Sequence, residues 1–491
     1  MKAQTMAGSN SNSKQIYYYI LKLLSGPLAY WIVSMLPFTG LEWKGRLCLA
    51  LFAWIIMWWV LEPAPWGVTS LLPLIILPVL GIMDLKGTAA IYGQSVLFLV
   101  LAVLLVGYSC KKHGLGQRFA VALLTIGWVK GSVTRFIFVY MVATFCLAAI
   151  VHSAAIAIVI PIGVATMDFI AKEYQKKGIT SGTQKIGTML ALGALFATEA
   201  GYMVTPASTV HNAIAISLME KLCGVTITYF QWTETGIIMG AVCLILGYSV
   251  LRLLFKPEVD VIPGGVEFFR ERKKELGNMT YVEKMVMFVL AALVFLWILP
   301  TFVTIKWMDL YWVAILGLIA MFLIPADIEK GEGILTKKDF LNSNWNVIFL
   351  VATGVGMAGV LEQFGVVKYL AGQLGGVNGM GLLLISSFVT PIITNFVTGA
   401  AATTAMGTLV FPLINSVGIN PAVIARICAS MSTGLIFPWA GIAAAMVFSS
   451  GLVSMKDMIR TGAIVTVIYC IVVTLGSVIM VPLFHAYTIM K

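Results

Sequence analysis

Four polar side chains stand where an apolar chain can least accommodate them. His152 and Ser153 lie midway along RFIFVYMVATFCLAAIVHSAAIAIVIPIGVATM (135–167), and Thr403 and Thr404 lie in a second apolar stretch. A neutral imidazole donates one hydrogen bond to a carboxylate. A protonated one adds a charge, and an ordinary pKa of about 6.5 makes that change switchable. A lone histidine in an apolar run is ordinarily a packing residue; at a helix break inside a hairpin, a role toward substrate or proton is the stronger reading. The hydroxyls of Ser153, Thr403 and Thr404 can merely bond back to the preceding helical turn, but placement at two repeat-related tips favours a site.

Two further residues carry charge into apolar surroundings. Glu199 lies ~13 residues into the run that starts at Ile186, and an intramembrane carboxylate is costly and by default functional. Its plain alternative is a protonated acid bonded to a neighbouring helix; with His211 it makes a candidate proton relay. Arg426 is either an anion anchor or, the stronger reading, an interfacial side chain snorkelling to headgroups. Trp54, Trp58, Trp59 and Trp66 read as an interfacial belt or dimer packing. Gly354-Val355-Gly356-Met357-Ala358-Gly359 spells GxGxxG, but it follows no soluble strand, so close helix packing is the reading and not dinucleotide binding.

The element that must position His152 is unusual. As one helix, Phe136–Met167 would measure roughly 48 Å, longer than a bilayer core of about 30 Å but shorter than two crossings. Lys130 and Arg135 precede it, and Lys172, Lys176, Lys177 and Lys185 follow, so both ends are expected on the cytoplasmic side. The reading is a re-entrant hairpin, and non-helical backbone at that depth must line a wet cavity or be buried in protein.

Composition sets the class. With 60% hydrophobic and 11% charged residues, the chain is a polytopic helical membrane protein. The polar start MKAQTMAGSNSNSK shows no signal peptide and reads as a cytoplasmic tail, 1–15. The formal charge of +11 is concentrated in loops and reads as positive-inside orientation with headgroup contact, not nucleic-acid binding. Seven scattered cysteines without CxxC read as packing residues.

The rest of the chain divides into a first helix plus first repeat (16–255), a charged cytoplasmic linker (256–283) and a second repeat (284–491). VLFLV at 96–100 matches VIFLV at 347–351, and Gly114 matches Gly365, both at an offset of 251. Pro161 falls on Pro412 at the same offset, and Pro206 pairs with Pro438 at 232. The first repeat holds the hairpin at about 135–167 and a broken helix at 186–220. The second holds a hairpin at about 380–416, entering from outside, and a broken helix at about 420–449. The repeats are therefore inverted, with the N-terminus inside and the C-terminus outside; Lys44, Arg46 and Lys306 are exceptions. Paired hairpins and paired broken helices are the architecture of a secondary transporter with a midplane site.

At these stretches the chain resembles the divalent-anion/sodium symporter family of dicarboxylate and sulfate cotransporters. LEPAPWGVTSLLPLIILPVLGI (61–82), TPASTVHNAIAI (205–216) and PWAGIAAAMVFSSGLVSMKDMIRTGAIV (438–465) carry the likeness, which covers roughly 60–488. It implies an all-α fold of about eleven spans, a homodimer and an elevator motion. It also implies a small di- or tricarboxylate or sulfate as substrate, usually with sodium, though some members exchange anions. Family hairpin tips carry Ser-Asn-Thr. Counting back from the hairpin prolines puts the tips here at Val151-His152-Ser153 and Ala402-Thr403-Thr404, neither with the asparagine. The resemblance implies substrate contacts at His152, Ser153, Thr403 and Thr404, and at Pro206, Ser208, Thr209, Pro438, Ala440 and Gly441. If sodium couples, it implies a cation among Val151, His152, Thr205, Thr398, Ala401 and Thr403. The first broken helix keeps Ser208, Thr209 and Asn212; the second reads Gly441-Ile442-Ala443-Ala444 and has lost the polar string.

The expected function is secondary transport of a divalent anion in a bacterial or archaeal cytoplasmic membrane. The resemblance implies sodium as the coupling ion, with anion exchange or proton coupling as alternatives and no cofactor. An enzyme is disfavoured because HExxH, a Cys/His cluster and a paired-carboxylate constellation are absent. A channel or non-transporting sensor on the same scaffold is the third reading.

Overall fold

The computed structural model describes residues 2–484 apart from 126–128, 130–131, 152–153, 177–183, 258, 262–264, 302, 304–309, 367–368, 370–377 and 439. Among the described residues, eight helices are long and apolar enough to cross a membrane. In the first half α1 (Lys2–Met35), α2 (Trp43–Leu61) and α3 (Leu72–Val79) precede α4 (Ser95–Lys112) and the short α5 (Leu115–Leu124). α1 starts within the stretch expected to be a tail. The apolar stretch after α2 is divided: a turn at Trp66–Thr69 stops before α3, which carries Pro73 in its first turn and Pro78 inside.

Then come α6 (Val133–Val151) and α7 (Ala154–Lys176), which pack together as the first hairpin, and α8 (Gln184–Tyr202) and α9 (Val210–Cys223), the two halves of a broken helix. α10 (Tyr229–Leu254) closes the first half. α11 (Gly265–Glu275) lies in the linker, and α12 (Tyr281–Ile298), α13 (Leu310–Leu323) and α14 (Trp345–Gln363) open the second half. α15 (Gly379–Thr394) and α16 (Gly399–Val410) form the second hairpin. α17 (Pro421–Met431) and α18 (Ile442–Ser449) are the second broken helix, and α19 (Met455–Phe484) ends the described chain. The only described strands are the short antiparallel pair Pro325–Asp327 and Glu332–Gly333.

Burial sorts these helices as a bilayer would. α8 is enclosed, with every residue from Ile186 to Tyr202 buried. Outward faces of α12, α13 and α19 expose Phe295, Ile319 and Leu475, hydrocarbon that only lipid solvates cheaply.

The two halves run in opposite senses. At the end of α4, Lys112 Nζ donates to Ile334 O (3.1 Å) and to Asp339 Oδ2 (2.7 Å), just ahead of the start of α14. α4 therefore ends on the face where α14 begins. Two residues past each helix the chain takes the left-handed conformation, at Gly114 (φ 75°) and Gly365 (φ 73°), the pair related by the offset of 251. On that same face Arg118 joins α5 to Glu283 and to the carbonyls of Leu276, Gly277 and Asn278.

The first arm of the first hairpin has 19 residues, about 28 Å, enough for a crossing. It runs beside α8 as far as the break. A Cβ on Gly193 would meet Met141 Cγ at 3.0 Å, and one on Gly201 would meet Phe145 O at 2.6 Å. Near the arm's end, Ala149 O accepts from Thr205 Oγ1 (3.0 Å) in the break itself.

The second hairpin differs from its expected geometry. Its turn is 395–398, so Ala402, Thr403 and Thr404 lie inside α16 and not at a tip. The proline count misled because the prolines do different jobs. Pro161 is accommodated inside α7, whereas Pro412 sits in a 3₁₀ turn, Phe411–Leu413, after twelve residues of α16. Thr398 supplies the helix start, accepting from Ala401 N–H (3.3 Å).

Candidate functional site

The first break, 203–209, is held by its own polar string. Ser208 Oγ donates toward Tyr202 O and Thr205 O (both 2.7 Å). Asn212 Nδ2 reaches the same two carbonyls at 2.8 and 2.7 Å. Pro206 within this loop is buried. Freed carbonyls at a helix end need such donors. Thr209 begins α9 in extended conformation; its hydroxyl and Asn212 Oδ1 are buried and unpartnered.

The second break, 432–441, is tied to the second hairpin. Asn395 Oδ1 in the hairpin turn accepts from Ile436 N–H (3.2 Å) and Phe437 N–H (3.3 Å). Thr403 Oγ1 lies 2.6 Å from Ser432 Oγ. Pro438 and Ala440 are buried in this segment, and Gly441, extended and exposed, begins α18.

Each break also lies against a glycine on the long helix that follows it. A Cβ on Gly236 of α10 would meet Val204 O at 2.6 Å, and one on Gly462 of α19 would meet Leu435 C at 2.8 Å. Only a residue without a side chain lets the backbones approach so closely.

The two repeats meet at His211 and Gly399. The imidazole of His211, in the first turn of α9, fills the space a Cβ on Gly399 would need, and Ser432 O lies 2.6 Å from that position. The N-terminal ends of α9 and α16, one from each repeat, thus converge. Helix N-termini carry partial positive charge and unpaired N–H groups, which suits an anion.

A cavity of about 770 Å³ lies beside the first break, but it is a poor anion site. Its walls from α4, α12 and the hairpin end are almost wholly hydrocarbon, with Thr205 at one edge.

The transmembrane region of the sodium:sulfate symporters matches residues 18–485. The chain belongs to that family. Among similar chains is the sodium-dependent dicarboxylate transporter SdcS of Staphylococcus saprophyticus, 32% identical over 96% of this chain and 94% of its own. The SdcS of Staphylococcus aureus strain USA300 is 30% identical over 94% and 91%. The Alcanivorax borkumensis YdaH transporter, a crystal structure, is similar in fold (TM-score 0.54, 13% identity, covering 89% of this chain and 98% of that one). The sodium:sulfate symporter family consists of transporters, and membership excludes the enzyme reading.

Within this symporter-family chain the candidate residues separate. His152 and Ser153 lie outside the described residues, and Val151 is the last helical residue before them. Thr205, Ser208 and Thr209 share the first break, and Thr403 reaches the second. Thr398 and Ala401 form the start of α16 near His211. Thr404 points elsewhere: its side chain packs on Gly354 of α14. Glu199 is buried within electrostatic reach of Tyr202 and Tyr469.

Arg426 is not interfacial. It is 1% exposed, its guanidinium is stacked 3.7 Å over the Trp232 ring, and Nη1 donates to Met203 O (2.7 Å). Nη2 donates to Trp232 O and to Thr235 Oγ1 (2.8 Å). Backbone carbonyls replace the headgroups that snorkelling would have supplied. Asn395 was missed altogether; its signal is a polar residue three before Thr398, the natural start of an alanine-rich helix.

Proposed function

We propose that the chain is a secondary active carrier of a small divalent anion, a dicarboxylate foremost, coupled to sodium. The observation that carries this reading is the convergence of the α9 and α16 N-termini at His211 and Gly399, with the unpartnered Thr209 hydroxyl beside it. An anion there would take N–H groups from both repeats, and freed oxygens where a helix is broken would serve the cation. The dicarboxylate and the sodium are supported by the names of the SdcS relatives.

Transport on this reading is an elevator movement. The hairpins, broken helices, α10 and α19 form the carrying block, and α2–α4 with α12–α14 form the frame. Gly354 against Thr404 and Gly359 against Lys221 give the block a side-chain-free track along α14. The frame is the natural homodimer surface, and the chain sits in a bacterial or archaeal cytoplasmic membrane with its N-terminus inside and C-terminus outside. His152 and Ser153 complete the substrate contacts from the first hairpin, and Thr398, Ala401 and Thr403 serve the cation in the second repeat.

Proteoliposomes carrying the full chain test the reading. Radiolabelled succinate is expected to accumulate under an inward sodium gradient and not with choline in its place. Uptake that follows a pH gradient or internal dicarboxylate would replace sodium by proton coupling or exchange. No uptake of succinate or sulfate under any gradient would leave the channel or sensor reading.

A further inference from the structure

The two breaks are alike in backbone but not in charge. In the first, three carbonyls at and after the helix end are already engaged by side chains. Tyr202 O and Thr205 O accept from Ser208 and Asn212, and Met203 O accepts from the Arg426 guanidinium at 2.7 Å. That guanidinium is enclosed, stacked on Trp232, and permanently charged at any working pH. Its charge comes from the opposite repeat, because Arg426 belongs to α17. The offset of 232 that relates Pro206 to Pro438 takes Arg426 back to Ala194, which has no charge to return to the second break. The described bonds at the second break come instead from the neutral side chains of Asn395 and Thr403.

A helix C-terminus carries partial negative charge, and in carriers with broken helices a mobile cation commonly neutralises it. We infer that Arg426 is a resident cation of the first break: its guanidinium takes Met203 O at that helix end together with Trp232 O and Thr235 Oγ1 of α10, and supplies there the positive charge a coupling sodium would bring, so that break binds no sodium. Coupling to sodium is then confined to the second hairpin and second break. Arg426 is a residue that sets ion stoichiometry, and it touches neither substrate nor sodium. This rests on the sodium-coupled reading above.

Equilibrium binding of radioactive sodium to the purified full-length protein tests it. The wild type is expected to bind at most one sodium per chain; two per chain would overturn the inference. Arg426→Met, of similar length without the charge, is expected to gain one sodium per chain, and no gain would overturn it. Arg426→Lys keeps a charge in place and is expected to hold the wild-type count; an added sodium in that variant also counts against the idea. The wild-type and lysine measurements decide the matter even where the methionine variant fails to fold. Failure of the transport reading has its own signature, absent succinate uptake by wild-type proteoliposomes, which leaves the sodium count as an independent result.

Discussion

Thr403 and Ser432 share a 2.6 Å contact between their hydroxyls, and through it the second hairpin grips the second break. Ser432 also donates to Cys428 O (2.8 Å), so its oxygen is the acceptor for Thr403. Thr403→Val keeps the shape and removes the donor. The expected cost is about 1 kcal/mol of stability, with a several-fold loss of sodium-dependent succinate affinity that Thr403→Ser restores. Thermal melts and uptake titrations check both; a valine variant with wild-type affinity would remove Thr403 from the site.

Gly399→Ala puts a methyl into the His211 ring. Overpacking of this kind costs typically about 1–3 kcal/mol, and here it also separates the two helix ends proposed to hold the anion. Succinate-induced thermal stabilisation is expected to fall at least about tenfold in apparent affinity. Gly399→Ala with undiminished stabilisation would falsify the placement of the anion between α9 and α16.

Gly236→Ala and Gly462→Ala are expected to behave as a pair, each crowding a break from the helix behind it. Each substitution should lower the thermal midpoint by an amount equivalent to about 1–3 kcal/mol and slow uptake. A harmless change at one glycine beside a damaging change at the other would mean that the breaks are not equivalently braced.

The joint between α4 and the stretch before α14 sets a pH dependence. Burial alone would push the Asp339 carboxyl up, but hydrogen bonds from Lys112 and from Thr336 outweigh it and hold the group below its ordinary range. A carboxyl lowered on folding adds stability that is fully present above its unfolded pKa of about 3.9 and is lost as pH falls through the folded value. Thermal midpoints are therefore expected to be level from neutral to about pH 5 and to drop below about 4. Asp339→Asn should lower the neutral midpoint by the equivalent of about 1 kcal/mol and flatten the acid limb, as melts across pH will show.

Arg118 holds α5 to Glu283 and to three linker carbonyls. Arg118→Ala leaves those acceptors without their charged donor, at an expected cost of about 1.5–3 kcal/mol. Limited proteolysis should cut the variant faster between 256 and 280; unaltered cutting would show that other contacts hold the linker.

Much of this was legible in the sequence, and the exceptions have physical causes. Long apolar runs and basic loops marked the helices, since bilayer thickness and charge leave few alternatives. Pro206 and Pro438 marked both breaks because proline cannot continue the hydrogen-bond ladder. The second turn was misplaced because Pro412 lies after its helix and not within it. Arg426 was misread because its partners, Met203 O and Trp232, are remote in sequence, and no local pattern announces a carbonyl freed elsewhere. The His211–Gly399 contact was hidden for the same reason.

The glycine crossings at Gly236 and Gly462 have one more consequence. Because each interrupted segment also leans on the bare main chain of a glycine, that part of its path does not depend on the polar residues beside it. A lineage can therefore exchange the hydroxyls and amides of the pocket, and with them its choice of cargo, while the scaffolding of the crossing stays put.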